Sequence, residues 1–291
     1  EVVVNIELTG LPLVLLLPAP MNDSFVAATL PSPAPMNAPT AEASLRRPAP
    51  TNADSLQALA LVQLIGLNLW AWHQNRVLAE RRQAVTATLT SAVPGLYARR
   101  EAFNVREKGS DAVRTNFAAH MYSEPFAKLA RHPRMIEPVE DLFGEALYMH
   151  QFKINGKMAF EGDVWQWHQD YGTWKNDDLM PTERAMNVAI FLDDVNEYNG
   201  PLMFIPGSHK KGVVDARHDL STTSYPLWTV GPSVVGPLAE RGGLVCPKGP
   251  AGTMLIFGDA LVHASPPNMS PWPRRIFSLI VNPVSNRAQS I

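Results

Sequence analysis

From Ala146 to Ser285 the chain breaks into short aliphatic and aromatic runs, each closed by Gly, Pro, Asn or Asp. That spacing does not sustain long helices; it specifies short strands joined by turns. Candidate strands are Leu147–Ile154, Val164–Gln169, Arg184–Leu192, Leu202–Ile205, Thr253–Phe257, Val262–Ser265 and Ile276–Pro283. Many short strands with such turns close as a sandwich, jelly roll or barrel. Upstream the period changes. Leu56, Leu59, Val62, Ile65, Leu69 and Trp72 recur at helical spacing behind an Asp54-Ser55 cap, and Pro94-Gly95 is expected to break that helix. Further helices are expected over 123–131 and 136–143. Helices followed by strands predict an α+β fold: a double-stranded β-helix (jelly roll, cupin-like) with N-terminal buttressing helices.

Residues 1–53 read differently. Pro18-Ala19-Pro20-Met21-Asn22 recurs as Pro33-Ala34-Pro35-Met36-Asn37 and Pro48-Ala49-Pro50-Thr51-Asn52, a period of 15 residues. Units this poor in apolar side chains cannot stack as a solenoid, so a disordered Pro/Ala-rich linker is expected. The organisation predicted is a linker over 1–53 and one domain over 54–291, helical over 54–145 with a jelly-roll core over 146–285.

Composition narrows the function classes. Net charge is −2 over 291 residues with no Lys/Arg block, which disfavours nucleic-acid binding. Cys246 is the single cysteine, excluding an internal disulfide or cysteine-rich zinc site and fitting a cytoplasmic protein. It reads as a buried or semi-buried thiol without a catalytic partner. The apolar run Leu11–Leu17 falls short of the ~20 residues that span a bilayer. The apolar stripe from Leu56 to Trp72 reads as core or as a homo-oligomer face.

Chemistry concentrates in Trp165-Gln166-Trp167-His168-Gln169-Asp170-Tyr171-Gly172-Thr173-Trp174. If this is a strand running into a loop, its two-residue period sets His168 and Asp170 on one face. His263, in a later strand, can supply a third ligand. Two histidines and one carboxylate form the facial triad of non-haem Fe(II) oxygenases. For an isolated histidine a satisfied core role is commoner. His120, His132, His150, His209 and His218 are read as structural.

An ordered set of further motifs strengthens the triad. Gln151-Phe152-Lys153-Ile154-Asn155 precedes it. Asn199-Gly200-Pro201-Leu202 and Pro206-Gly207-Ser208-His209 separate its two halves, and Asn268-Met269-Ser270-Pro271-Trp272-Pro273-Arg274 follows. With these, the run from His150 to Asn282 resembles the phytanoyl-CoA dioxygenase family of the Fe(II)/2-oxoglutarate oxygenase superfamily, with spacing similar to ectoine hydroxylases. The resemblance implies Fe(II) on His168, Asp170 and His263, with 2-oxoglutarate and O₂ as co-substrates. It implies that Arg274 grips the distal carboxylate of 2-oxoglutarate, with Asn155 and Ser265 beside it, and that Gln151 and Trp174 line the substrate side. Neighbouring Arg275 is expected to point the other way.

The reaction implied is hydroxylation of an unactivated C–H of a small molecule, releasing succinate and CO₂. Related halogenases have a small residue where Asp170 stands. Ectoine enzymes carry an aromatic at the position of Ser278, so the resemblance does not extend to ectoine itself. Three rival readings stay open: a non-catalytic jelly-roll binding module, a cupin-type metal enzyme that does not use 2-oxoglutarate, and an N-terminal half whose partner-binding or oligomerisation role dominates function.

Overall fold

The computed structural model describes residues 3–8, 11–16, 76–77, 79–222 and 224–290. The expected apolar stripe from Leu56 to Trp72 and the repeat from Pro18 to Asn52 lie outside them. The architecture below is that of the unit comprising residues 1–18 and 78–291.

Helix α1 covers residues 79–97. It runs through Pro94-Gly95, where the sequence suggested a break. Pro94 still accepts the Ala98 N–H at 3.0 Å. Leu89, Val93 and Leu96 are buried in the core, and their burial offsets the ~3 kcal/mol cost of an interior proline. Helices α2 (Glu124–Ala130) and α3 (Pro133–Phe143) follow close to expectation. His132 caps α3, accepting from the Arg134 N–H at 3.2 Å.

Strands β1 (Val3–Leu8) and β2 (Leu11–Leu16) pair as a hairpin in a stretch read above as linker. Both are aliphatic runs, whereas the proline-rich repeat begins only at Pro18. Two short strands, β3 (Asn104–Arg106) and β4 (Val113–Phe117), were not anticipated. The long β5 (Leu147–Lys157) outruns its expected end, while β6 (Trp165–His168) stops before Gln169. The helix α4 (Asp170–Asp177) comes next, then β7 (Met186–Phe191) and β8 (Met203–Phe204). Beyond them are β9 (Arg217–Asp219), β10 (Leu227–Thr229) and α5 (Pro232–Gly242), then β11 (Met254–Gly258), β12 (His263–Ser265) and β13 (Arg274–Pro283).

These strands form two sheets, ordered β1-β2-β11-β7-β13-β5-β4-β3 and β8-β12-β6-β10-β9. Every pairing is antiparallel except β2 with β11. This is a double-stranded β-helix, with α1, α2 and α3 packed on the large sheet and α5 packed beside the small one. Strand alternation explains the layering. Phe152 and Ile154 on β5, Val188 and Ile190 on β7, and Phe277, Leu279 and Val281 on β13 pack with Leu89, Phe126 and Val139 of the helices. The intervening residues face inward. Ala189, Phe191, Leu255 and Ile276 meet Phe204 of the small sheet, whose ring lies 4.9 Å from that of Phe257. Gln151, Lys153, Asn155, Asn187 and Ser278 occupy the same inner face but line a cavity instead. The inner face is thus apolar at one end and polar at the other.

Candidate metal and co-substrate site

His168 ends β6, Gln169 is extended (φ −112°, ψ 132°), and Asp170 opens α4. The expected strand-to-loop passage is therefore strand-to-helix, yet the alternation survives across the junction. Gln169 turns away and is bolted down. Its amide donates to the carbonyls of Gly212 (2.9 Å) and Ala260 (2.6 Å), and its oxygen accepts from Val214 N–H at 2.9 Å. His168 and Asp170 are left facing the cavity. His263 sits directly opposite His168 in the β6–β12 register, so the two imidazoles share a face with centroids 4.1 Å apart.

The ring orientations follow from the backbone. His168 Nδ1 lies 2.6 Å from the Gln166 carbonyl and His263 Nδ1 lies 2.9 Å from that of Leu261. A carbonyl only accepts, so both Nδ1 atoms carry the proton and both Nε2 atoms present a lone pair. Those Nε2 atoms stand 3.8 and 3.7 Å from the two Asp170 oxygens, and one donor from each residue falls within 4.8 Å of the others. Burial, reinforced by His263, pushes His168 down to about 3, keeping it neutral. Burial acts against ionisation of Asp170, but Lys153 and the two histidines outweigh it and hold the carboxyl at about 2. Asn187 donates to Asp170 at 2.8 Å. Two imidazole Nε2 atoms and a carboxylate converging in this way fit a divalent metal bound on one face.

The cavity beside this set has a volume of about 230 Å³ and is lined by Gln151, Asn155, Trp174 and Arg274 together with the three converging residues. Arg274, at the start of β13, is 1% exposed. Its Nε donates to the Gly200 carbonyl at 2.9 Å and its Nη2 to Ser265 Oγ at 2.8 Å; neither bond uses Nη1. Burial pushes its pKa down to about 9, which still leaves it charged at neutral pH. Ser265 in turn donates to the same Gly200 carbonyl at 2.9 Å. Ser265 thus holds the arginine rather than lining the cavity. Arg275 points the other way and pairs with Asp193 at 2.5 Å. Asn155 Oδ1 accepts from Thr115 Oγ1 at 3.0 Å.

Residues 77–276 match the family model described as phytanoyl-CoA dioxygenase (PhyH). The chain belongs to the phytanoyl-CoA dioxygenase family. Within the family it is 39% identical over 194 residues to an L-proline trans-4-hydroxylase of Streptomyces griseoviridis, covering 62% of this chain and 72% of that one. It is 36% identical over 199 residues to an ectoine dioxygenase of Bordetella bronchiseptica, covering 66% and 64% respectively. The crystal structure of EctD from S. alaskensis with 2-oxoglutarate and 5-hydroxyectoine superposes with a TM-score of 0.63 at 33% identity, over 71% of this chain and 70% of that one. The matched segment spans under two thirds of the ectoine dioxygenase.

Several residues at this family site escaped the sequence reading. Because α4 starts at Asp170, helical spacing brings Thr173, Asp177 and Asp178 onto the cavity side beside the expected Trp174. Lys153 shares the inner face of β5 with Gln151 and Asn155, its Nζ 3.9 Å from Asp170. A register shift between Ile280 and Val281 of β13 marks a bulge at His150 of β5. His150 Nε2 lies 3.1 Å from Asp178, and its ring meets Trp174 edge-on at 5.1 Å. Buried Arg114 stacks 3.9 Å over Trp165 and pairs with Glu107 at 3.1 Å, fixing one wall. His209 falls outside the converging set, in the 3-10 turn Ser208–Lys211. Cys246 is exposed, not semi-buried.

Gly200 is the joint of the co-substrate end. Its φ is +77°, and a Cβ there would lie 2.6 Å from Lys157 Cδ and 2.8 Å from the Pro266 carbonyl. Lys157 is fully buried, donating to the carbonyls of Asp163 and Pro266, so it cannot yield. Gly200→Ala is expected to cost about 1–3 kcal/mol, read as a lower midpoint in thermal unfolding. It should also weaken 2-oxoglutarate binding, because the displaced carbonyl is the one that holds Arg274.

Proposed function

We propose that this chain is an Fe(II)- and 2-oxoglutarate-dependent dioxygenase that hydroxylates an unactivated C–H of a small metabolite and releases succinate and CO₂. The observation that carries the reading is the pair of carbonyl-anchored imidazoles aiming Nε2 at Asp170, with a buried arginine in the same cavity. His168, Asp170 and His263 hold the iron on one face. When bound, iron and 2-oxoglutarate supply the oxidising chemistry, with O₂ as oxidant. Arg274 grips the distal carboxylate of 2-oxoglutarate through its unused Nη1, oriented by Ser265 and Gly200, because a guanidinium fork matches a carboxylate in two-point fashion. Asn155 stands beside the co-substrate. Gln151 and Trp174 bound the substrate, and the buried aromatic walls exclude water from the reacting carbon.

The size of the cavity favours a small substrate. Drug-sized ligands occupy sites of about 300–1,000 Å³, and 230 Å³ lies below that range. An acyl-CoA would lie mostly outside it. The substrate classes supported are therefore small amino-acid-like molecules, as in the named proline and ectoine enzymes. Ser278 lines the cavity as a small residue. A single cysteine and no basic block accord with a cytoplasmic enzyme acting on a metabolite, and among the described residues no helix is long and apolar enough to cross a membrane.

The test is anaerobic addition of Fe(II) and 2-oxoglutarate, which should give a weak visible charge-transfer band. Air, with L-proline, ectoine or an acyl-CoA supplied separately, should then release succinate. A protein that forms no band and consumes no 2-oxoglutarate would overturn the reading in favour of a binding module. Oxidation of a substrate without 2-oxoglutarate would favour the cupin-type alternative.

A further inference from the structure

Five charged side chains line the cavity: Lys153, Asp170, Asp177, Asp178 and Arg274. Four of them make hydrogen bonds within the protein: Asp170 accepts from Asn187 at 2.8 Å, Arg274 donates to Gly200 and Ser265, Asp177 accepts from Trp228 Nε1 at 3.2 Å, and Asp178 lies 3.1 Å from His150 Nε2. Among the described residues Lys153 has the ion pair with Asp170 and no hydrogen bond.

The Lys153 side chain is only 15% exposed, and its Nζ lies 3.9 Å from Asp170, beyond hydrogen-bond range. Among the described residues no hydrogen bond takes up this ammonium. A cation this withdrawn from water is stabilised by an anion brought to it. Asp178 closes α4 with its side chain 32% exposed. Among the described residues its side chain meets His150, whose own side chain is 3% exposed and whose Nδ1 finds no hydrogen-bond partner there. Burial pushes the His150 imidazole down and the Asp178 carboxyl up, the latter opposed by His150 itself, and the 3.1 Å contact from Nε2 orients the Asp178 side chain. Lys153 sits on the floor of the cavity and Asp178 on its α4 wall, with Trp174 as part of that same wall. His150 is the extra residue at the point where the pairing of β5 with β13 slips.

We propose that Lys153 and Asp178 are the two poles that select a small zwitterion, Lys153 taking its carboxylate and Asp178 its cationic nitrogen. This deepens the reading of the preceding subsection and rests on it. Lys153 adjoins Asp170, so a carboxylate seated on it holds the neighbouring carbons beside the metal. Asp178 then fixes which of those carbons faces the iron. Neither pole alone distinguishes an amino acid from a simple acid or amine; the pair does.

The probes are L-proline, L-prolinamide, which lacks the carboxylate, and N-acetyl-L-proline, which lacks the cationic nitrogen. Each is titrated anaerobically into the Fe(II)- and 2-oxoglutarate-loaded protein while the visible band is followed, and succinate release is measured in air. With the wild-type protein, L-proline should perturb the band and both masked analogues should need far higher concentrations. Lys153→Gln should keep the unperturbed band and raise the half-saturation for L-proline about tenfold to a hundredfold, the loss of one charge-assisted hydrogen bond. It should leave the response to L-prolinamide unchanged, and Lys153→Arg should restore much of the loss. Asp178→Asn should mirror this, with N-acetyl-L-proline unaffected. A wild-type band that responds alike to all three probes, or to none, would overturn the two poles and leave the oxygenase reading standing. So would loss of the band itself in Lys153→Gln, which would assign that lysine to the metal or to 2-oxoglutarate. A wild-type protein with no band would overturn the oxygenase reading itself, and the poles with it.

Discussion

His168→Ala should abolish the visible band formed anaerobically with Fe(II) and 2-oxoglutarate and reduce succinate release at least about a hundredfold, since loss of a residue merely supporting a metal ligand costs about 10–100-fold. The size of the effect follows from how the site is built. His168 is 5% exposed and its Nδ1–H is committed to the Gln166 carbonyl, so no other nitrogen in this segment can replace Nε2. Asp170 and His263 would remain, but two donors hold a divalent ion far more weakly than three. His209→Ala is the informative control. His209 is the histidine that a motif search most readily confuses with a ligand, and it lies outside the converging set. Its removal should leave the band in place. A band that survives His168→Ala would remove the iron assignment, and one lost in His209→Ala would mean that the ligand set is wrong.

Much of this site was legible because strands write their geometry in alternate residues. His168 and Asp170 share a face by the two-residue period across one intervening glutamine, and Gln151 and Asn155, which the family resemblance implied, share the inner face of β5 by the same period. Arg274 and Arg275 were separable on the same ground, and they do part to opposite sides of β13. The unread portions are those where a local rule gives way to packing. The segment after Asp170 has little apolar periodicity and contains Gly172, so α4 did not announce itself. Consequently Asp178 went unnoticed, although helical spacing from Asp170 would have found it. A strand lysine is usually solvated, and nothing short of the closed sheet shows Lys153 turned inward. The bulge near His150 leaves no mark in the sequence; it is visible only as a slip in pairing with β13. Pro94 misled for the opposite reason: a strong local signal is outweighed by the buried faces of α1 on either side of it.

Arg274→Met should raise the 2-oxoglutarate concentration needed for half-maximal succinate release about thirtyfold or more, the equivalent of the 2–5 kcal/mol lost when one partner of a buried charge pair is truncated. Arg274→Lys should fall between it and the wild type. A lysine keeps the charge but presents a single point in place of a fork, and it cannot reproduce the bonds to both Gly200 and Ser265. Ser265→Ala separates orientation from charge. The arginine stays, Nη2 loses its acceptor, and half-saturation should rise by less than in either arginine variant while the iron band alone is retained. Arg275→Met supplies the comparison that the strand geometry demands. It is the adjacent residue with the same chemistry, but its partner is Asp193 on the far side of the strand, at 13% and 14% exposure for the two side chains. Breaking that pair should lower the midpoint of thermal unfolding and leave 2-oxoglutarate half-saturation within about twofold, because a partly exposed ion pair contributes on the order of 1 kcal/mol to folding and nothing to a site it does not face. If Arg275→Met raised half-saturation as much as Arg274→Met, the strand would have to present the other arginine to the co-substrate. The inner face of β13, from Arg274 through Ile276 to Ser278, would then be inverted against a cavity whose lining includes all three.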